Sequence, residues 1–147
     1  MTVVPRAYDI LGQIKTLIEA DTTIKGQFAG SRVRAYYGTL PKTGSVPAIV
    51  LDVLTMAGNR RSRGRHASMD FKVDIWAKGG DAAHTKLMLI ADAVNSLLNA
   101  YDTTWTGSPS GISMILDSVL LESMSPISEP TDSKLYGMRL VFSALVG

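Results

Sequence analysis

The chain has 147 residues, 15 basic against 13 acidic, and no cysteine. A single domain of that size buries roughly 70% of its unfolded surface and needs no staple. Near-neutral charge argues against a dedicated nucleic-acid binder, and the lack of cysteine excludes disulfides, thiol catalysis and cysteine-ligated metals.

The amino terminus, MTVVPRAYDI, has no basic segment leading into an apolar core, so no secretory signal is read there. No apolar run reaches membrane-spanning length, and the chain reads as soluble and retained in the cytoplasm. Residues 5–20 are expected to form the first helix, with Ala7, Ile10, Leu11, Ile14, Leu17 and Ile18 on one stripe. Asp21–Thr22 reads as a re-cap before a short helical turn carrying Ile24 and Phe28, and Gly30 ends it.

Arg32–Tyr37 is a short strand candidate, followed by the turn-rich GTLPKTGSVP. Ala48–Ala57 reads as a strand with Ile49, Leu51 and Val53 towards the helices. Val50, Leu54 and Met56 are expected on its other side, around Asp52. When both faces of a strand are apolar, both tend to be covered, and a neighbouring subunit is the expected second cover.

Gly58–Ala67 links this strand to the next as a long hairpin loop or projecting ribbon. Arg60, Arg61, Arg63 and Arg65 place four guanidinium groups in six residues there. Three readings stand side by side: a solvated tip, bidentate contacts with an acidic protein surface, and phosphate contacts with DNA.

Met69–Lys78 alternates most cleanly. Met69, Phe71, Val73, Ile75 and Ala77 face a core; Asp70, Lys72, Asp74, Trp76 and Lys78 face away. Trp76 is the apolar exception on that outer side and reads as a packing or interface residue. Asp81 is expected to cap a helix to about Asn99, with Ala83, Leu87, Ile90, Ala91, Val94, Leu97 and Leu98 inward. Tyr101–Gly111 reads as a polar connection containing Trp105. Two strands then close the chain, Ile112–Ser123 and Tyr136–Val146, joined by the exposed tip MSPISEPTDS.

The expected fold is α+β: a mostly antiparallel sheet of four to five strands with two main helices on one face, in one domain spanning 1–147. No catalytic constellation is visible. There is no Gly-x-Ser-x-Gly elbow or phosphate loop, and His66 and His84 have no orienting acid. Asp70 and Asp74 stand about 13 Å apart along one strand, too far for a carboxylate pair. No enzyme activity, metal or cofactor is expected. The candidate interface residues are Arg60, Arg61, Arg63, Arg65 and Trp76. Charged residues are only 19% of the chain and hydrophobic ones 46%, which points towards self-association.

Short signatures in fixed order carry a resemblance. Ile18-Glu19-Ala20-Asp21 ends the first helix and Gly30-Ser31-Arg32-Val33 opens the first strand. Leu40-Pro41, Val46-Pro47-Ala48-Ile49-Val50 and Val73-Asp74-Ile75-Trp76 follow, then Ala91-Asp92-Ala93-Val94 and Leu97-Leu98. Over about residues 7–99 the chain resembles the tail-terminator, or tail-completion, proteins of long-tailed bacteriophages and prophages. The last two strands match only in kind and order, and no role transfers to the loops at 58–67, 101–111 and 123–134.

The resemblance implies a virion structural protein that closes as a ring, typically a hexamer, on the head-proximal end of the tail tube. The ring would stop tube growth and allow head attachment. Its partners would be other copies of itself, the tail-tube protein and a neck or head-completion protein, with the host cytoplasm as the place of assembly. Two alternatives remain: a head-completion or neck connector on the portal side, and a small DNA-contacting module using the arginine loop.

Overall fold

The computed structural model describes residues 3–41, 46–58, 67–99, 101–105, 114–128 and 135–146. The first helix, α1 (Val3–Ala20), forms because Ile10, Leu11, Ile14 and Ile18 recur on one stripe, and all four are fully buried. A single turn, α2 (Thr22–Lys25), follows, with the Asp21 carboxylate accepting from the Ile24 amide at 3.0 Å. Gly30, at φ +69°, then turns the chain towards β1 (Ala35–Tyr37).

Strands β2 (Ala48–Gly58) and β3 (Ala67–Lys78) form the expected hairpin, paired from Ala48↔Trp76 to Gly58↔Ala67. Helix α3 (Asp81–Leu98) returns across the sheet. The chain ends in β4 (Tyr101–Trp105), β5 (Met114–Ser128) and β6 (Leu135–Val146). The sheet order is β1-β2-β3-β6-β5-β4, with β1 parallel to β2 and every other pair antiparallel.

Both long helices share one face of this sheet. Between them and the strands lies a single core holding Ile10, Ile14 and Leu11 from α1 and Leu87, Ile90 and Val94 from α3. Phe71, Val73, Ile75, Leu140 and Phe142 meet them from the sheet. Phe71 and Phe142, register partners on β3 and β6, stack with centroids 5.4 Å apart at 18°. The α+β class is as expected.

Several local expectations change. Tyr101–Trp105 is a sixth strand where a polar connection was expected; its Tyr-Asp-Thr-Thr-Trp composition suits a pleated edge. Met56 pairs with Met69 on the helix side, because an irregularity between Val53 and Thr55 shifts the register. Asp81 is the first helical residue and Gly80 the N-cap, so the carboxylate sits in the first turn without a capping bond. Strand β5 runs on to Ser128, with Pro126 opposite Met138, which shortens the expected tip. Its two register irregularities account for the imperfect alternation in its sequence.

Truncating Phe142 to Ala removes a fully buried ring stacked on a second one. The expected cost is about 3–5 kcal/mol, read by urea unfolding, whereas Leu145→Ala on the same strand should cost less than about 1 kcal/mol.

Candidate interaction surface

The helices leave one face of the sheet uncovered, and the register decides what stands on it. From β3 come Asp70, Lys72, Asp74 and Trp76. Opposite them on β6 are Ser143, Val141, Arg139 and Gly137; on β2 they are Thr55, Asp52, Val50 and Ala48.

Asp74 is the one buried charged residue among the described residues, at 3% exposure. Arg139 grips it with two bonds, Nε to Oδ1 at 2.8 Å and Nη2 to Oδ2 at 3.0 Å. The Lys72 ammonium adds a contact to Oδ2 at 3.3 Å. This fork geometry is the strong form of a carboxylate–guanidinium pair. The hydrogen bond to Asp74 raises the Arg139 pKa above its ordinary value, against a smaller opposing effect of burial. Because that ordinary value is already far above neutral, the guanidinium stays charged throughout the physiological range. Arg139 was not singled out in the sequence, although it is the one charged residue in β6.

Trp76 is half-buried, and its position answers what an indole is doing on a charged strand face. A Cβ built on Gly137, its β6 partner, would lie 2.8 Å from the indole atoms Cε3 and Cζ3 and 2.6 Å from Cγ1 of Ile127. The missing side chain is therefore the seat in which Trp76 and Ile127 meet across three strands. Ala48, fully buried, is its register partner on the other side. Val50 is also buried on this face, at 1% exposure, so the chain itself covers part of what was expected to need a neighbour.

Apolar surface remains towards the other end of the same face. Leu120, opposite Ser143, and Leu145, opposite Ser68, are 50% and 48% exposed. Leu54, inside the β2 irregularity, is 47% exposed beside the Thr55–Asp70 hydrogen bond of 2.9 Å. The four candidate arginines, Arg60, Arg61, Arg63 and Arg65, and also His66, lie outside the described residues. His84 is exposed on α3, its ring 4.3 Å from that of Tyr136.

Two shallow grooves flank the helices. One, of about 390 Å³, runs between α1 and β1 past Lys15, Glu19, Arg32, Arg34 and Tyr36. The other, of about 530 Å³, lies between α2 and α3 beside Asp21, Gln27, Leu89 and Asp92. The first holds the Lys15–Glu19 ion pair at 3.0 Å, and Thr23 and Ser96 also line the second. Among the described residues no three His, Cys, Asp or Glu side chains converge as metal ligands, and no helix is long and apolar enough to cross a membrane.

No family model matches the chain, and no curated protein does. Among solved structures, it is similar to a chain from the virion of a native gene transfer agent particle. The TM-score is 0.62 over 90% of each chain, at 17% identity. A second solved chain aligns over 93% of this one and 95% of its own length, with TM-score 0.52 and 12% identity. At these identities the likeness is one of fold.

Two substitutions test the face. Gly137→Val should destabilise by about 1–3 kcal/mol in the native background and by much less when Trp76 and Ile127 are both Ala, giving a measurable coupling in a mutant cycle. Arg139→Met should cost about 1–3 kcal/mol by leaving Asp74 to Lys72 alone, a figure held down by the partial exposure of the guanidinium. Most of that loss should disappear when Asp74 is also made apolar.

Proposed function

We propose that this chain is a structural subunit of a phage-type particle and acts as a tail terminator, closing as a ring, most simply a hexamer, on the head-proximal end of a tail tube. The carrying observation is the fold likeness to a gene transfer agent virion chain, which extends over 90% of both chains. The alignment takes in nearly all of both chains, so the shared fold runs across this sequence and is not confined to one part of it. The ordered signatures from Ile18-Glu19-Ala20-Asp21 to Leu97-Leu98 supply the finer reading, that of a terminator.

The chemistry of the surface suits such a role. Exposed Leu54, Leu120 and Leu145 on a helix-free face provide apolar area for a neighbour. The function would then be one of shape: bind the last tube ring, deny the next tube subunit its seat, and offer a new surface to the neck. The β2–β3 ladder ends at Gly58↔Ala67.

Electron micrographs of particles assembled without this protein test the reading. A terminator predicts tail tubes of uncontrolled length. Tails of normal length that lack heads would contradict it and assign the protein to the head-side joint.

A further inference from the structure

Strand β1 is the outermost strand on its side of the sheet, and among the described residues it pairs with β2 alone. The Ile49 amide donates to the Arg34 carbonyl at 2.8 Å, and the Gly38 amide to the Leu51 carbonyl at 2.9 Å. Arg34, Tyr36 and Gly38 thus turn their backbone groups towards β2, and the two-residue period turns those of Ala35 and Tyr37 outward. The Tyr37 carbonyl accepts from the Thr39 amide at 3.0 Å. Two amides and the Ala35 carbonyl are left for an added strand. The backbone at Arg32 is also extended, at φ −119° and ψ 111°, so Arg32–Tyr37 presents about 20 Å of straight chain.

The side chains at this edge have the composition of a contact surface. Three of the chain's five tyrosines gather here, and Tyr8 and Tyr37 are exposed. Tyr8 stands on α1 one turn before Gly12, where an added Cβ would lie 3.5 Å from the Tyr37 hydroxyl. The Lys15 ammonium holds the other side of that ring, 5.7 Å from its centroid. Arg32, Arg34 and Tyr36 follow one another on one side of the strand at intervals of roughly 7 Å. Tyrosine and arginine are the residues enriched where proteins bind one another.

Charge then selects the partner. In the groove beside β1, Lys15 and Glu19 cancel each other as an ion pair. The guanidinium groups of Arg32 and Arg34 line the same groove and have no ion-pair partner among the described residues. Two uncompensated positive charges therefore stand two residues apart beside an open backbone edge. A nucleic acid would answer the charges but not the alternating amides and carbonyl, whereas a peptide strand answers both.

We propose that the β1 edge docks an extended acidic segment of a partner protein as a seventh strand, with carboxylates at alternate positions on Arg32 and Arg34. The proposal goes beyond the ring reading and does not depend on it.

Fluorescence anisotropy with purified full-length protein and a labelled eight-residue peptide alternating Glu with Val tests the docking. Binding should saturate and should weaken as salt rises from about 0.05 to 0.5 M. R32E/R34E, shown to be folded by circular dichroism, should bind on the order of tenfold less tightly and should instead accept a peptide alternating Lys with Val. Methylating every backbone nitrogen of the Glu peptide keeps its charge and removes its donors, and should abolish binding to the unmodified chain. Failure to saturate, indifference to R32E/R34E, or equal binding of the methylated peptide would each overturn the proposal. Duplex DNA that binds in place of the peptide would overturn it in favour of a phosphate contact. Self-association lost in R32E/R34E, with no peptide binding to the unmodified chain, would overturn it in favour of a second copy at this edge.

Discussion

Strand β3 is held from both sides at once, and the rest of the molecule follows from that. On one side Phe71, Val73 and Ile75 lie in the helix-covered core; on the other Asp74 is clamped by Arg139, and Trp76 rests on Gly137. A slip of one residue would drive Asp70, Lys72 and Asp74 into the core and put Phe71 on the open face. The β3–β6 register is therefore specified twice, by apolar burial and by a fork-shaped ion pair backed by an indole in a glycine seat. The helices need only cover the apolar side. α1 lies over β2, and α3 lies over β3 and β6.

That arrangement separates stability from association. The buried stacking of Phe71 on Phe142 and the stripes of α1 and α3 hold the subunit together on the helix side. The open face carries what is left over, the exposed Leu54, Leu120 and Leu145. The raised pKa of Arg139 belongs to the structural pair beside them, since it comes from the hydrogen bond to Asp74.

Much of this was legible in the sequence. The period-two alternation of 69–78 marked both faces of β3, and the apolar stripes of α1 and α3 marked the helix sides. The hairpin through the arginine segment was read with nearly its observed ends. What escaped depends on partners distant in sequence. Arg139 acquires meaning only once β6 lies beside β3, 65 positions away from Asp74. Gly137 looks like an interruption in a strand until Trp76 is found across it. The β2 irregularity that returns Met56 to the core, and the short edge strand β4, arise from pairing geometry that local pattern does not encode. Trp76 was read as a packing or interface residue, and its seat on Gly137 lay outside that reading.

The central proposal is that copies of this small subunit close around an axis as a ring. Sedimentation equilibrium of the purified chain across a wide concentration range addresses it most directly. The account predicts one dominant closed species whose mass is a fixed multiple of 15.8 kDa, six for a hexamer, and does not grow with concentration. A particle of 15.8 kDa at every concentration, or an open-ended ladder of ever larger species, would contradict it.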